Sequence, residues 1–171
     1  ASPHTAETIE RLVRYVKIET TSDRHADVIP STPSQWELAR LLEAELKALG
    51  IKDVSTDEHC FVIARIPASP GSEHAPSIGL MAHLDTSSDV SGANVRPRVI
   101  TGYDGKAVEL SEGWVLDPAQ FAELKDYAGD TIIVTDGTTL LGADDKSGIA
   151  IVMTTIAAIL KDRSFAHGPL C

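Results

Sequence analysis

The stretch GLMAHLDTSSD, residues 79–89, ends a short apolar run in an imidazole, His83, and a carboxylate, Asp85. Residues i and i+2 of an extended strand project to the same side, so His83 and Asp85 can enter one pocket. Metal ligation uses such a pair well, because a metal-bound histidine commonly gives its second ring N–H to a carboxylate that fixes its tautomer. The same H-x-D also describes a histidine that ends a strand and an aspartate that opens a turn with Thr86 and Ser87. A second constellation, LLGADDKSGIAIVM at residues 140–153, sets two adjacent carboxylates between a strand and a helix. Either Asp144 or Asp145 is accounted for as a helix cap in the positive field of the helix N-terminus. The other is left over beside Lys146 and is free to meet a cation. If both segments end strands of one sheet, a carboxylate can bridge two divalent ions about 3.5 to 4 Å apart. Nitrogen and carboxylate donors suit zinc, with manganese or cobalt as alternatives by geometry.

The elements that must position these groups follow from periodicity. Ile9, Leu12, Val13 and Val16 recur at helical spacing and predict an amphipathic helix over 6–18. The polar segment ETTSDRHADVIPSTPS interrupts it. Ser34 and Glu37 have the spacing of a capping box, and Leu38, Leu41, Leu42, Leu46 and Leu49 form an apolar face that stops at Gly50, a C-terminal cap. CFVIARI at 60–66 reads as a strand. SIGLMAH at 77–83, apolar without alternation, reads as a central strand covered on both faces by helices. Short strands are expected at Arg98–Thr101 and Trp114–Leu116, and a short helix around Phe121 and Leu124. Asp136-Gly137 between two β-prone runs predicts a hairpin. Ile149, Met153, Ile156 and Leu160 define a last helix that begins just after GADDKSG. Helices alternating with strands predict a three-layer α/β domain whose strand ends gather ligands.

Composition narrows the function. The chain of 171 residues carries a net charge of −10, which repels nucleic acid and anionic membrane and fits a small-molecule substrate. Cys60 and Cys171 are its only cysteines. With no charged segment leading into an apolar leader, the expected setting is reducing and cytoplasmic. A first residue other than Met suggests a processed start. His167, before Gly168 and Pro169, reads as a turn histidine. His59 with Cys60 is too sparse for a metal site, and His4, His25 and His74 lie in polar, solvated segments.

The strand-end HLDT and the strand-to-helix GADDKSG resemble the two upstream metal motifs of the M20 metallopeptidases, H-x-D and a D-x-K-G-like segment. The flanks PSTPSQWELARLL, AHLDTSSDVSGANVRP and TDGTTLLGADDKSGIA resemble the tripeptide aminopeptidase (peptidase T) subfamily in motif and order, from about residue 6 to the end. By that resemblance His83 binds one metal, Asp85 orients His83, and Asp144, two residues before Lys146, bridges two zinc ions, with a cis peptide between Asp144 and Asp145. The resemblance implies an incomplete three-layer α/β/α sandwich of the zinc-dependent exopeptidase type. Residues 1–171 form its N-terminal portion, and the lid domain is absent. It also implies that the general-base glutamate and the remaining ligands lie further along the polypeptide, so that the 171-residue chain alone is inactive. The expected substrate is a short peptide, cleaved from its amino end. Rival expectations are another M20 hydrolase, such as a dipeptidase, carboxypeptidase or N-acyl amino acid deacylase, and a catalytically silent metal-binding or interaction module. Oligomeric state is left open.

Overall fold

The computed structural model describes residues 3–111, 113–162 and 164–171. Helix α1, Pro3–Tyr15, begins and ends three residues earlier than the periodicity predicts. Val16 still donates to the Leu12 carbonyl and stays buried, but the Ile18 carbonyl turns away to accept a hydrogen bond from Lys146 Nζ at 2.6 Å. That contact draws the chain out of the helix.

Helix α2 spans Gln35–Ala48 and buries Leu38, Leu42 and Leu46. Its C-terminus is as predicted: Gly50 has φ of 87°, its N–H bonds the Lys47 carbonyl, and the Ile51 N–H reaches back to the Leu46 carbonyl. This is the Schellman pattern, which favours glycine because φ is positive. Its N-terminus differs from expectation. Ser34 is itself helical, at φ −63° and ψ −26°, and makes no side-chain cap. Backbone bonds from Gln35 to Thr32 and from Trp36 to Pro33 already satisfy the first turn, which leaves the capping box nothing to do.

Strand β1, Asp53–Thr56, pairs antiparallel with β2, Val62–Arg65, in the register Val54 with Ala64. β2 is the core of the predicted 60–66 strand. β3, Arg98–Ile100, and β6, Ile132–Val134, form a second antiparallel pair. β4, Val108–Glu109, and β5, Val115–Leu116, form a third. Between β5 and β6 the expected short helix is a 3₁₀ helix, Ala122–Tyr127. Helix α3 spans Ala143–Lys161 and packs on α1, while α2 packs on β1 and β2. The cluster they enclose includes Tyr15, Leu38, Leu42, Ile149 and Met153. Among the described residues no helix is long and apolar enough to cross a membrane.

Two expectations are corrected. The Asp136-Gly137 hairpin does not form, because β6 pairs with β3 and not with the following TLLG. Side chains make the turn: Asp136 Oδ1 accepts from the Thr138 N–H at 2.9 Å, the Asp136 carbonyl accepts from Ser111, and Thr135 Oγ1 accepts from Gly137. The central strand predicted at 77–83 is likewise no ladder strand. It runs extended, but its only β-bridge among the described residues is Ile78 with Leu170, and Met81 is 95% exposed. An apolar sequence supplies the faces of a strand, whereas a ladder also needs neighbours along both edges.

One partly buried network ties α1 to α2. The Glu45 carboxylate accepts from Arg11, Arg14 and the Tyr15 hydroxyl, each at 2.6 Å. Burial, reinforced by the Glu45 hydrogen bond and opposed by Arg11, pushes the Tyr15 phenol up to about 12. A raised folded-state pKa contributes stability that is whole below the unfolded value near 10 and is lost as pH climbs toward about 12. Tyr15→Phe is therefore expected to cost about 1.5 kcal/mol at pH 8, since the lost bond goes to a charged acceptor. The cost should shrink by pH 11.5. Urea unfolding at both pH values measures it, and an equal difference at each would contradict the assignment.

Candidate metal centre

The site is built where the extended segment 78–84 ends and α3 begins. His83 Nδ1 lies 2.9 Å from the Asp85 carbonyl and 3.2 Å from Asp85 Oδ1. Both of those atoms accept, so Nδ1 carries the proton and the ring is held by its near neighbour. His83 Nε2 then faces Asp144 Oδ1 at 3.1 Å, across 61 residues of sequence. The sequence therefore brings all three of its candidate residues, His83, Asp85 and Asp144, into contact.

How Asp144 becomes available is local. Gly142 turns the chain at φ of 73°, and Asp144 and Asp145 depart from helical dihedrals before α3 continues regularly. The peptide between the two aspartates is cis. Asp145 Oδ1 accepts from the Gly148 N–H at 3.1 Å, capping the helix. A Cβ at position 148 would collide with that carboxylate, so glycine there leaves the cap room. With Asp145 committed, the Asp144 side chain projects outward and is 96% exposed. The doublet thus divides its work: one acid serves the helix and the other faces His83. Sequence reasoning left the capping acid open between Asp144 and Asp145, and it missed Gly148, whose signal was its place three residues after Asp145. It also missed Lys146, which is 2% exposed. Burial lowers the Lys146 ammonium pKa to about 8, with Glu19 opposing the shift.

Electrostatics agree with a cation between these groups. Partial burial disfavours a charged His83, but hydrogen bonds to Asp144 and Asp85 outweigh it and hold the imidazole above its ordinary range. A proton on Nε2 is the simplest positive charge those acceptors can share. Two atoms each about 2.0 to 2.2 Å from zinc can be at most about 4.4 Å apart. The 3.1 Å between Nε2 and Oδ1 satisfies that limit, and an imidazole with a carboxylate is a zinc-type donor pair. The residues present fit a metal, as part of a ligand set: Asp85 lies behind His83, and among the described residues no three His, Cys, Asp or Glu are placed to hold an ion together. His167 bonds the Gly168 carbonyl through Nδ1 in an irregular extended connection and not in the turn read from the sequence, and both cysteines are free, Cys60 buried and Cys171 exposed.

None of the family models matches the chain. Curated relatives do. Peptidase T of Geobacillus sp. (strain WCH70) is 46% identical over 164 residues, which is 95% of this chain and 40% of the relative. Peptidase T of Geobacillus thermodenitrificans is 48% identical over the same length, with the same coverage. The chain is similar to the N-terminal part of peptidase T. It spans about two fifths of the length of the peptidase T relatives it matches. Among solved structures, aminopeptidase PepT from Bacillus cereus superposes with a TM-score of 0.60 at 22% identity, over 96% of this chain and 34% of that one. Aminoacylhistidine dipeptidase from Vibrio alginolyticus superposes with a TM-score of 0.56 at 21% identity, over 99% of this chain and 26% of that one. These two likenesses speak for the fold alone, a partial α/β domain.

Proposed function

We propose that this chain is the N-terminal portion of an M20 metallopeptidase that releases the amino-terminal residue from tripeptides. Its domain is the incomplete three-layer α/β/α type, in which a dinuclear zinc centre (or manganese or cobalt) works in the cytoplasm without nucleic acid or membrane partners. The observation that carries this reading is the meeting of His83 Nε2 and Asp144 Oδ1 at 3.1 Å, backed by Asp85, in a chain 46% identical to a peptidase T.

His83 and Asp144 would hold the metal. Held there, a divalent cation would supply Lewis acidity, which lowers the pKa of a bound water toward about 7 and polarises a carbonyl oxygen. Asp85 keeps the Nδ1 proton in place, so that Nε2 presents its lone pair. Asp145 holds the first turn of α3, which keeps Asp144 turned outward. A general base is expected from a glutamate beyond Cys171.

Asp85→Asn tests the orienting role. Loss of a carboxylate behind a metal-bound histidine typically weakens metal affinity 10- to 100-fold. The lower end is expected here, because the Asp85 carbonyl, which also accepts from Nδ1, remains. Zinc calorimetry measures it, and an unchanged affinity would remove Asp85 from the site. Activity of the full-length protein tests the reaction: free tripeptides should be cleaved and N-acetylated tripeptides refused. Hydrolysis of acylated amino acids would instead make it a deacylase.

A further inference from the structure

Thr86, the residue after Asp85, is pinned by a segment that belongs to neither metal motif. Residues 18–22 leave α1 and run beside it. The Thr86 N–H bonds the Thr20 carbonyl at 3.0 Å, and the Thr86 carbonyl accepts from both the N–H and the hydroxyl of Ser22, each at 3.0 Å. Thr21 and Thr86 form a parallel β-bridge. Thr20 and Thr86 are buried, so these bonds sit where water competes little. The chain that carries His83 and Asp85 is thereby fixed to residues 18–22.

The same segment holds the other half of the site. Its first carbonyl, that of Ile18, accepts from Lys146 Nζ at 2.6 Å, and Lys146 is a buried residue of the first turn of α3, just past Asp144 and Asp145. The two halves also touch directly. A Cβ on Gly142 would stand 3.0 Å from Thr86 Cγ2 and 3.8 Å from Lys146 Nζ, so the glycine allows threonine, turn and ammonium to close up. One further backbone bond, from the Leu140 N–H to the Ser91 carbonyl, joins the two loops at positions farther along the chain from the ligands.

The ligating side chains have little packing with which to fix their own spacing. The Asp144 side chain is 96% exposed and that of His83 is 52% exposed. A metal site needs its donors within about 0.5 Å of the productive geometry. That accuracy has to come from the backbone beneath them.

We infer that Lys146 is a positioning residue: its bond to the Ile18 carbonyl locks the Asp144 turn onto residues 18–22, which also hold Thr86, and so sets the separation of the His83 and Asp144 donors. The inference rests on the proposed metal centre. Lys146 acts through this backbone contact, since its hydrogen bond goes to a carbonyl and not to Asp144. Ser22 serves the same purpose at the other end of the segment, through its hydroxyl on the Thr86 carbonyl.

The test uses the full-length protein carrying Lys146→Met, Ser22→Ala or Asp144→Ala. Zinc affinity, the visible absorption bands of the cobalt(II)-loaded form and thermal unfolding without metal are measured for each. Lys146→Met keeps the apolar stem and removes the donor. It is expected to weaken zinc binding about 10- to 100-fold, the range for groups behind the ligands, and to shift the cobalt bands at a temperature where the protein stays folded. Ser22→Ala should weaken binding about two- to tenfold, the usual effect of one hydrogen bond, and shift the same bands. A residue that serves only the stability of the fold would lower the unfolding temperature and leave affinity and bands alone. Unchanged affinity or unchanged bands in a folded Lys146→Met protein would therefore overturn the inference. If Lys146→Met does not fold, Ser22→Ala decides by the same two readouts. Asp144→Ala separates the inference from the reading beneath it. Zinc affinity that survives Asp144→Ala unchanged overturns both, whereas affinity lost there but kept in the deciding variant overturns the inference alone.

Discussion

Asp144→Ala is expected to abolish measurable zinc binding by this chain and to bring tripeptide hydrolysis by the full-length protein to background. The loss should exceed the 10- to 100-fold typical of residues behind the ligands, because it removes a donor atom that no neighbour replaces. Asp145, the nearest acid, has one oxygen accepting the Gly148 N–H and lies on the helix side of the turn. Stability should barely move, because the Asp144 side chain is 96% exposed and its hydrogen bond is to the half-exposed His83. Calorimetry with zinc and thermal unfolding without it separate the two effects. Zinc binding that survives Asp144→Ala would sink the metal reading and favour an interaction module.

The 171-residue chain alone is expected to turn over tripeptides more slowly than the full-length protein by at least 10²- to 10⁴-fold, the usual worth of a positioned proton-transfer group. The described residues supply no free base at the site. Asp85 is engaged with His83 Nδ1, Asp144 faces Nε2, and among the described residues no three His, Cys, Asp or Glu are placed to hold an ion together. The assay is release of the amino-terminal residue from a tripeptide with zinc present. Turnover by the 171-residue chain comparable to that of the full-length protein would show that this account of the proton transfer is wrong.

Much of the architecture was legible because helices declare themselves locally. The leucine stripe of α2 and its stop at Gly50 need nothing beyond a 3.6-residue period and a residue tolerant of positive φ. β1 was not legible: DVST is short, polar in three of its four residues and defined only by its partner β2. The hairpin expectation failed for the opposite reason, since a strong local turn signal was overridden by Asp136 bonding within its own loop and by β6 choosing β3. At the site, residue types and the i, i+2 rule put His83 beside Asp85. Which acid of the doublet faces the histidine could come only from resemblance, because nothing in the string DD tells one carboxylate from its neighbour. The coordinates separate them through the hydrogen bond that Asp145 makes to Gly148.

The link from Lys146 to the Ile18 carbonyl, 2.6 Å long and spanning 128 positions, makes the segment just after α1 a stakeholder in the acidic turn. Trimming upstream of residue 19, whether by a protease or by the choice of an expression start, would strip that ammonium of its acceptor and leave a desolvated charge beside Asp144 and Asp145. Damage just after α1 would then be read out as poor cation retention at the acidic turn.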